Sequence, residues 1–232
     1  MSYKALLSGW REEETLNALR FFSREFEGRH SLAFSHQAED VVLLDLLKKA
    51  GVTPRVFTIS TGKLFPESEA MNGEIEEFFG IRLDVIRPEP AEVERMTEEH
   101  GEDLFYKSTE LRKLCCRVRK VLPLNAYLKG FSLWFTGLRK EQSPTRTDLD
   151  VLEYDEASGI YKVSPLLGWT TGQVMEYAEK HRLPHNPLYA KGFLSIGCEP
   201  CTRPASDPAD IRSGRWWWES PEHKECGLHL KK

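Results

Sequence analysis

The sequence lacks long runs of apolar residues. Its opening stretch, MSYKALLSGWREEETL, has no apolar segment of the kind found in a secretory signal peptide, and no later segment approaches the roughly 20 apolar residues that span a bilayer. With 40% hydrophobic and 29% charged residues, the composition is that of an ordinary globular protein. We therefore expect a soluble protein that resides in the cytoplasm and has no membrane partner.

An excess of positive charge is also missing. Lys and Arg number 32 against 36 Asp and Glu, which gives a formal net charge of -4. A surface that binds duplex nucleic acid needs a clustered basic face. We therefore expect no nucleic-acid partner, although short basic loops remain able to hold one anionic ligand.

Internal repeats and low-complexity segments are absent from the sequence. A chain of 232 residues is long enough for one large domain with a real core, and a second full domain is not expected. Beyond Pro184 the chain is rich in Pro, Gly, Ser and charged residues. We predict a single α/β domain over residues 1–202, followed by a flexible tail over residues 203–232.

Cysteine is scarce, and its number is odd. The five cysteines are Cys115, Cys116, Cys198, Cys201 and Cys226. An odd count in a reducing compartment argues against a disulfide framework and favours metal binding by four thiols with one left free. The neighbouring pair Cys115 and Cys116 supports this view, because a disulfide between adjacent residues closes a small, strained ring.

The four paired cysteines are candidate metal ligands. Cys198 and Cys201, in GCEPC, have the two-residue spacing that lets both thiolates face one centre. Structural zinc is one interpretation, but adjacent helical cysteines do not point easily at one small ion. An iron-sulfur cubane relaxes this demand, because each thiolate binds its own iron. The residues favour a cluster and leave zinc and unligated buried cysteines as alternatives.

The apolar pattern alternates between strands and helices. Residues 10–27 place Leu16, Leu19, Phe22 and Phe26 at helical spacing. After this helix, the strand-like segments SLAF, RVFTI, IRLDVI and FSLWFTG are separated by the helix-like segments EDVVLLDLLKKAG, ESEAMNGEIEEFFG and TELRKLCCRVRKVLPLNAYL. A hairpin around DEASG and a helix from TTGQVMEYAEKH follow. The alternation predicts a mostly parallel sheet flanked by helices.

Three loops are expected to form a ligand site, because ligands of open α/β sheets lie outside the carboxyl ends of the strands. These loops follow Phe34, Ile59 and Gly137 and contain SHQAED, STGK and LRKEQSPTR. The first loop lacks the glycines of a cradle for a β,γ-phosphate pair. The third carries Arg139, Lys140 and Arg146, which suit an anionic substrate, with a solvated surface loop as the alternative.

The C-terminal part of the chain contains a further set of candidate residues. Cys226, in HKECGLHL, has cationic neighbours that lower a thiol pKa. Trp216, Trp217 and Trp218 follow RSGR and lie beside Arg212 and Arg215. Simple packing explains such a tryptophan run, but it also suits a tail that folds over a negatively charged ligand. We assign no role to the histidines His36, His100, His181 and His185.

Five motifs together resemble one known family. KLCCRVRKVLPL, WFTGLRKEQSPTR, GCEPCTRP, RSGRWWW and ECGLH resemble the assimilatory adenylyl-sulfate (APS) reductases of the phosphoadenylyl-sulfate (PAPS) reductase family, from about residue 30 onward. The resemblance implies an adenine-nucleotide α-hydrolase-like, Rossmann-like fold. It also implies a 4Fe-4S cluster on Cys115, Cys116, Cys198 and Cys201, and the presence of these pairs favours APS over PAPS.

The resemblance also implies roles for single residues. The thiolate of Cys226 attacks the sulfur of APS and expels AMP, and reduced thioredoxin or glutaredoxin then releases sulfite. Lys120 links the cluster to the substrate sulfate, and His229 lies beside the phosphosulfate. Substrate contacts are expected from Ser35, Ile59, Thr61, Gly62, Gly137, Arg146, Arg212 and Arg215. The oligomeric state stays open.

Three other functions are weaker interpretations. The first is reduction of PAPS in place of APS. The second, a sulfur transferase or ATP pyrophosphatase that acts on RNA, predicts a glycine-rich first loop and a basic extension, and the sequence has neither. The third is a non-enzymatic iron-sulfur regulator or zinc-binding interaction module, which would not need Cys226.

Overall fold

A computed structural model describes residues 11–143, 149–207, 209–220 and 224 of the chain. Its helices are α1 (Glu12–Glu25), α2 (Ala38–Ala50), α3 (Pro66–Phe79), α4 (Pro90–His100), α5 (Thr109–Cys116), α6 (Leu122–Leu128) and α7 (Thr171–Lys180). Its strands are β1 (His30–Ala33), β2 (Arg55–Ile59), β3 (Leu83–Ile86), β4 (Leu133–Phe135), β5 (Leu152–Asp155) and β6 (Ile160–Val163). Short 3-10 turns cover Leu104–Tyr106, Lys140–Gln142, Pro187–Lys191 and Glu199–Cys201.

The six strands form one sheet in the order β3-β2-β1-β4-β6-β5. All neighbouring pairs are parallel except β5 and β6, which form the antiparallel hairpin predicted around DEASG. Parallel strands need crossover connections, which the helices supply. The predicted fold class, a mostly parallel sheet flanked by helices, is therefore confirmed.

The sheet is buried on both faces, as alternate residues of β4 illustrate. Leu133 and Phe135 pack in the large core that includes residues of α1, α2 and α7, whereas Trp134 between them packs with Leu124 and Leu128 of α6. Successive side chains of a strand point to opposite faces, so a short apolar run serves two cores at once. This sandwiching leaves the carboxyl ends of the strands as an accessible edge.

The helices agree with the sequence pattern except for α4. The amphipathic opening helix, predicted within residues 10–27, is α1, and the long basic segment is helical from Thr109 to Leu128. Helix α4 has no counterpart among the predicted elements. Its sequence, PAEVERMTEEH, buries Met96 alone, so it lacks the repeated apolar face that predicts a helix.

The C-terminal segment packs against the body of the domain over residues 209–220. The amide of Trp216 donates to the carbonyl of Cys201 at 3.1 Å, and Arg203 donates to Gly214 at 3.0 Å. The flexible tail that was predicted to begin at residue 203 stays a prediction. Of residues 221–232, the structure describes residue 224 alone. Among the helices that the structure describes, none is long and apolar enough to cross a membrane.

Candidate active site

A wide cleft opens at the carboxyl ends of β1, β2 and β4. Its space, counted with the open mouth, is about 1200 Å³. The three predicted loops meet here, since Ser35, Ile59 and Gly137 all line the cleft. Lys120 and the C-terminal residues Arg212 and Arg215 line the same space, so one wall of the cleft is basic.

Asp40, in the first turn of α2, joins two of these loops. One of its carboxylate oxygens accepts hydrogen bonds from the amide of Ser35 at 2.7 Å and from its hydroxyl at 2.5 Å. Burial, together with the neighbouring charge of Glu39 and against hydrogen bonds from Ser35 and Gly137, raises the pKa of Asp40 to about 7. Because Asp40 contacts both loops, it fixes their separation at the floor of the cleft.

Gly137 is required by this close approach. A Cβ at position 137 would lie 2.3 Å from an oxygen of Asp40 and 2.9 Å from the Glu39 side chain. Gly137 was a predicted substrate contact, whereas Asp40 and Glu39 were not among the predicted site residues. A carboxylate pair in the first turn of the helix that follows a strand-end loop is the signal that marks them.

His36 also lines the cleft, although sequence analysis gave it no role. It has a φ of 64°, and its Nε2 lies 2.7 Å from Oδ1 of Asn72. Burial lowers the pKa of His36 despite this hydrogen bond and the nearby charge of Glu69. The side chain is therefore a neutral, buried part of the first loop near pH 7.

A second, smaller cavity holds the four paired cysteines. Its space is about 310 Å³ with its mouth, and Cys115, Cys116, Cys198 and Cys201 all line it. The first two end α5, and the other two flank the 3-10 turn Glu199–Cys201. None of the four forms a disulfide, and within the described residues no three His, Cys, Asp or Glu side chains are arranged to hold one metal ion.

The electrostatics of this cavity differ from one thiol to the next. Burial raises the pKa of Cys201 to about 12 and also raises the pKa of Cys115. The pKa of Cys198 is lowered even though burial opposes this, because Lys120 carries a positive charge nearby and Thr61 hydrogen-bonds the sulfur. Cations surround the cavity, namely Lys63, Arg112, Arg119 and Lys120.

A π-helical segment, Arg117–Val121, places Lys120 between the two cavities. The amide of Leu122 donates to the carbonyl of Arg117, five residues earlier, and Pro123 follows. Proline at position 123 lacks an amide and crowds the carbonyl of residue 119, so a regular α-helix cannot continue there. Lys120 consequently lines both the cleft and the cysteine cavity, whereas Arg119 donates to the carbonyl of Thr61 at 2.9 Å.

The remaining predicted residues have different positions. The Thr61 hydroxyl lies 3.3 Å from Cys198 Sγ, and a Cβ on Gly62 would approach Arg119, so both positions border the cysteine cavity. Arg146, Cys226 and His229 lie outside the described residues. The roles assigned to all the site residues stay predictions.

Other known proteins resemble the chain along most of its length. The family model described as phosphoadenosine phosphosulfate reductase domain matches residues 29–204. An adenosine 5'-phosphosulfate reductase from Burkholderia cepacia is 44% identical over 94% of this chain and 87% of its own length. The corresponding enzyme from Allochromatium vinosum is 41% identical over 95% of this chain and 86% of its own length.

A solved structure extends the comparison to the fold. It is a phosphoadenylyl-sulfate (PAPS) reductase from Candida auris in a phosphate complex, with a TM-score of 0.67 and 25% identity, and the match covers 80% of this chain and 88% of that one. A family match over residues 29–204, close relatives along nearly the whole chain and a shared fold lead to one conclusion. The chain belongs to the phosphoadenosine phosphosulfate reductase family.

Proposed function

We propose that this protein reduces adenylyl sulfate (APS) to sulfite and AMP, using electrons from a thiol reductant. Relatives named adenosine 5'-phosphosulfate reductase, at 44% and 41% identity, support this activity. The observation that carries the proposal is the position of Lys120, whose side chain lines both the basic cleft and the cysteine cavity. The ammonium group of Lys120 can therefore attract both an anionic substrate in the cleft and the thiolates of the cysteine cavity.

The cleft suits the substrate in two parts. Adenosine rests at the strand ends against Ser35, Ile59 and Gly137. The phosphosulfate points towards Lys120, Arg212 and Arg215, where cationic groups offset its charge and stabilise the charge that develops on the departing phosphate. Thr61 and Gly62 shape the second loop. We also assign Arg146 and His229 to the site; both lie outside the described residues.

The cysteine cavity fits a 4Fe-4S cluster better than a single zinc ion. Four cysteines that form no disulfide line one cavity, and two of them, Cys115 and Cys116, are adjacent helical residues that do not point easily at one small ion. Each thiolate of a cubane binds a different iron, so Cys115, Cys116, Cys198 and Cys201 would hold a 4Fe-4S cluster. Such a cluster would supply electrostatic and structural support beside Lys120.

The chemistry begins at Cys226. Its thiolate attacks the sulfur atom of APS, a new S–S bond forms, and the bond between that sulfur and the bridging phosphate oxygen breaks. AMP leaves with the electron pair, and Cys226 carries the sulfonate group. Lys120, Arg212 and Arg215 hold the phosphate during this step, which fixes the line of attack.

A dithiol protein completes the reaction. A thiolate of reduced thioredoxin or glutaredoxin attacks Sγ of Cys226, sulfite leaves, and a mixed disulfide forms. The second thiol of the partner resolves that disulfide, so the partner is oxidised and Cys226 returns to the thiol state. Because this exchange needs a reducing compartment, we place the protein in the cytoplasm.

Mass spectrometry of the anaerobically purified protein tests the proposal. Mixing with APS alone, without any reductant, is expected to add one sulfonate group to Cys226 and to release one equivalent of AMP. Reduced thioredoxin then removes the group as sulfite. The matched variant Cys226→Ser is expected to form no adduct while it keeps the iron content and visible absorbance of the wild type.

Other outcomes select other functions. An adduct that forms with PAPS and not with APS would assign the phosphorylated substrate. No adduct from either donor, with the iron content intact, would contradict the reductase proposal and favour a non-enzymatic regulator.

A further inference from the structure

The indole ring of Trp216 contacts three guanidinium groups. Trp216 is buried, with 1% of its surface exposed, and the guanidinium carbons of Arg112, Arg212 and Arg215 lie 4.5, 5.4 and 4.5 Å from its ring centroid. Its φ of 40° is unusual for a tryptophan. A strained, buried aromatic residue that gathers three cations needs an explanation beyond filling space.

Arg112 and Arg215 differ in the groups that hold their guanidiniums. Arg112 faces the cysteine cavity and forms a two-point ion pair with Glu219, with hydrogen bonds of 3.0 and 2.7 Å. Arg215 faces the cleft, and its hydrogen bonds to Ser195 Oγ and to the carbonyl of Ile196 are both long, at 3.4 Å. Arg215 is thus held by the neutral face of an aromatic ring, whereas Arg112 is held by a carboxylate.

This difference matters for a site that binds an anion. A carboxylate beside an arginine orients the guanidinium but also cancels its charge, whereas an aromatic face orients it through the ring quadrupole and leaves the charge in place. A long arginine side chain that is already oriented loses less conformational freedom when its ligand arrives. Trp216 therefore orients Arg215 without weakening its attraction for an anion in the cleft, and it contacts the guanidinium of Arg212 as well.

Gly197 completes the clamp around Arg215. A Cβ at position 197 would lie 2.4 Å from a terminal nitrogen of Arg215 and 2.6 Å from its guanidinium carbon. The guanidinium thus contacts both the indole ring and a backbone position that has no side chain. Two positions outside the reacting groups, Gly197 and Trp216, set where this cation lies.

We propose that Trp216 is a positioning residue that holds Arg212 and Arg215 against the cleft so that they read the phosphate end of the nucleotide. The inference rests on the proposed function for the identity of the ligand, and for nothing else. It assigns a role to the first tryptophan of the WWW run, which the proposed chemistry does not use.

Nucleotide binding by the anaerobically purified protein tests this role. Calorimetric titration with AMP and with adenosine gives the ratio of the two affinities, which isolates the contribution of the phosphate. Trp216→Leu, which removes the aromatic face, is expected to lower that ratio about tenfold, and Trp216→Phe to lower it by no more than about threefold. Trp216→Leu is also expected to raise KM for APS more than it lowers kcat.

Trp217→Leu is the matched control, because its indole contacts Arg203 and Tyr106 instead of the cleft arginines. It replaces an indole ring by the same aliphatic side chain, one position later in the three tryptophans, and is expected to keep the wild-type ratio of AMP to adenosine affinity. Gly197→Ala provides a second, independent test, since it leaves the indole in place and displaces Arg215. We expect it to lower the ratio as well, at unchanged iron content.

An unchanged ratio in Trp216→Leu would overturn the inference, whatever Gly197→Ala gives. If Trp216→Leu fails to fold, Trp216→Met takes its place, and an unchanged ratio there would overturn the inference in the same way. Equal affinity of AMP and adenosine for the wild type would also overturn it, because the arginines would then not read the phosphate. Sulfite release by the wild type is measured separately, so a failure of the proposed function is seen there and not in the ratio.

Discussion

Asp40 is a buried carboxyl group that lies with Glu39 in the cleft that Lys120, Arg212 and Arg215 also line. It is 4% exposed, and its pKa rises from the ordinary 3.8 to about 7, first because of burial and then because of Glu39. Between about pH 4 and pH 7 the folded protein therefore keeps a proton that the unfolded chain has released. Since the folded state binds more protons in that window, its free energy of unfolding falls as the pH rises.

Asp40→Asn is expected to remove this pH dependence. Relative to the wild type, the free energy of unfolding of the variant should rise by on the order of 3 kcal/mol between pH 4 and pH 8, because an amide does not ionise. Denaturant unfolding of the two proteins at several pH values, without oxygen, measures the difference. Asp103→Asn, which alters an exposed carboxyl group, serves as the control and should follow the wild type. A difference that stays constant with pH would mean that Asp40 ionises normally.

Single residues mark the limit of what this sequence predicts. The spacing of Cys198 and Cys201 and the adjacent Cys115 and Cys116 were enough to group four thiols, and the structure puts them in one cavity. The sequence did not reveal that the hydroxyl of Thr61 lies against Cys198, because that contact joins residues 137 positions apart. Long-range side-chain contacts follow from packing, which local patterns do not encode.

At the level of elements, the alternating apolar pattern predicted strands β1 to β4 and most of the described helices, and the turn residues DEASG predicted the hairpin of β5 and β6. It gave no signal for α4, where Met96 is the single buried residue, or for the π-helical segment inside an apparently regular basic helix. Pro123 is the sequence feature that explains the second case. It lies three residues after Lys120, in the first turn of α6, and we expect it to set the direction in which that lysine faces.

Pro123→Ala tests the consequence for function. Alanine supplies the missing amide and removes the ring, so the segment can tighten to an α-helix and rotate Lys120 away from the cleft. We expect kcat/KM for APS to fall roughly fivefold or more, which corresponds to about 1 kcal/mol of transition-state stabilisation. Iron content should be retained, because Cys115 and Cys116 precede the altered segment.

A proline in the first turn of another helix provides the control. Pro90 begins α4, where its amide would have no helical partner in any case, so Pro90→Ala should leave turnover within about twofold of the wild type. Sulfite release and iron per chain are measured for both variants. Normal turnover in Pro123→Ala would show that the position of Lys120 does not depend on the π-helical turn.

At the scale of the whole molecule, the C-terminal segment joins the domain through a buried ion pair. Arg112 has no exposed surface, and its guanidinium is bound at two points by Glu219, which lies 107 positions later in the chain. Removing one member of such a pair leaves an uncompensated buried charge and costs roughly 3–5 kcal/mol. Residues 209–220 therefore behave energetically as part of the fold, whatever the role of the residues beyond them.

Two truncations separate structure from catalysis in this segment. A chain that ends at residue 220 keeps Trp216 and Glu219, so its thermal midpoint should stay within a few degrees of the full chain and AMP should still bind, while sulfite release is lost with Cys226. A chain that ends at residue 202 removes Glu219, the carboxylate partner of Arg112, and its midpoint should fall by roughly 10 °C or more. Equal midpoints for the two would instead make residue 203 the true start of a flexible tail, and the clamp around Arg215 would then contribute to binding without contributing to stability.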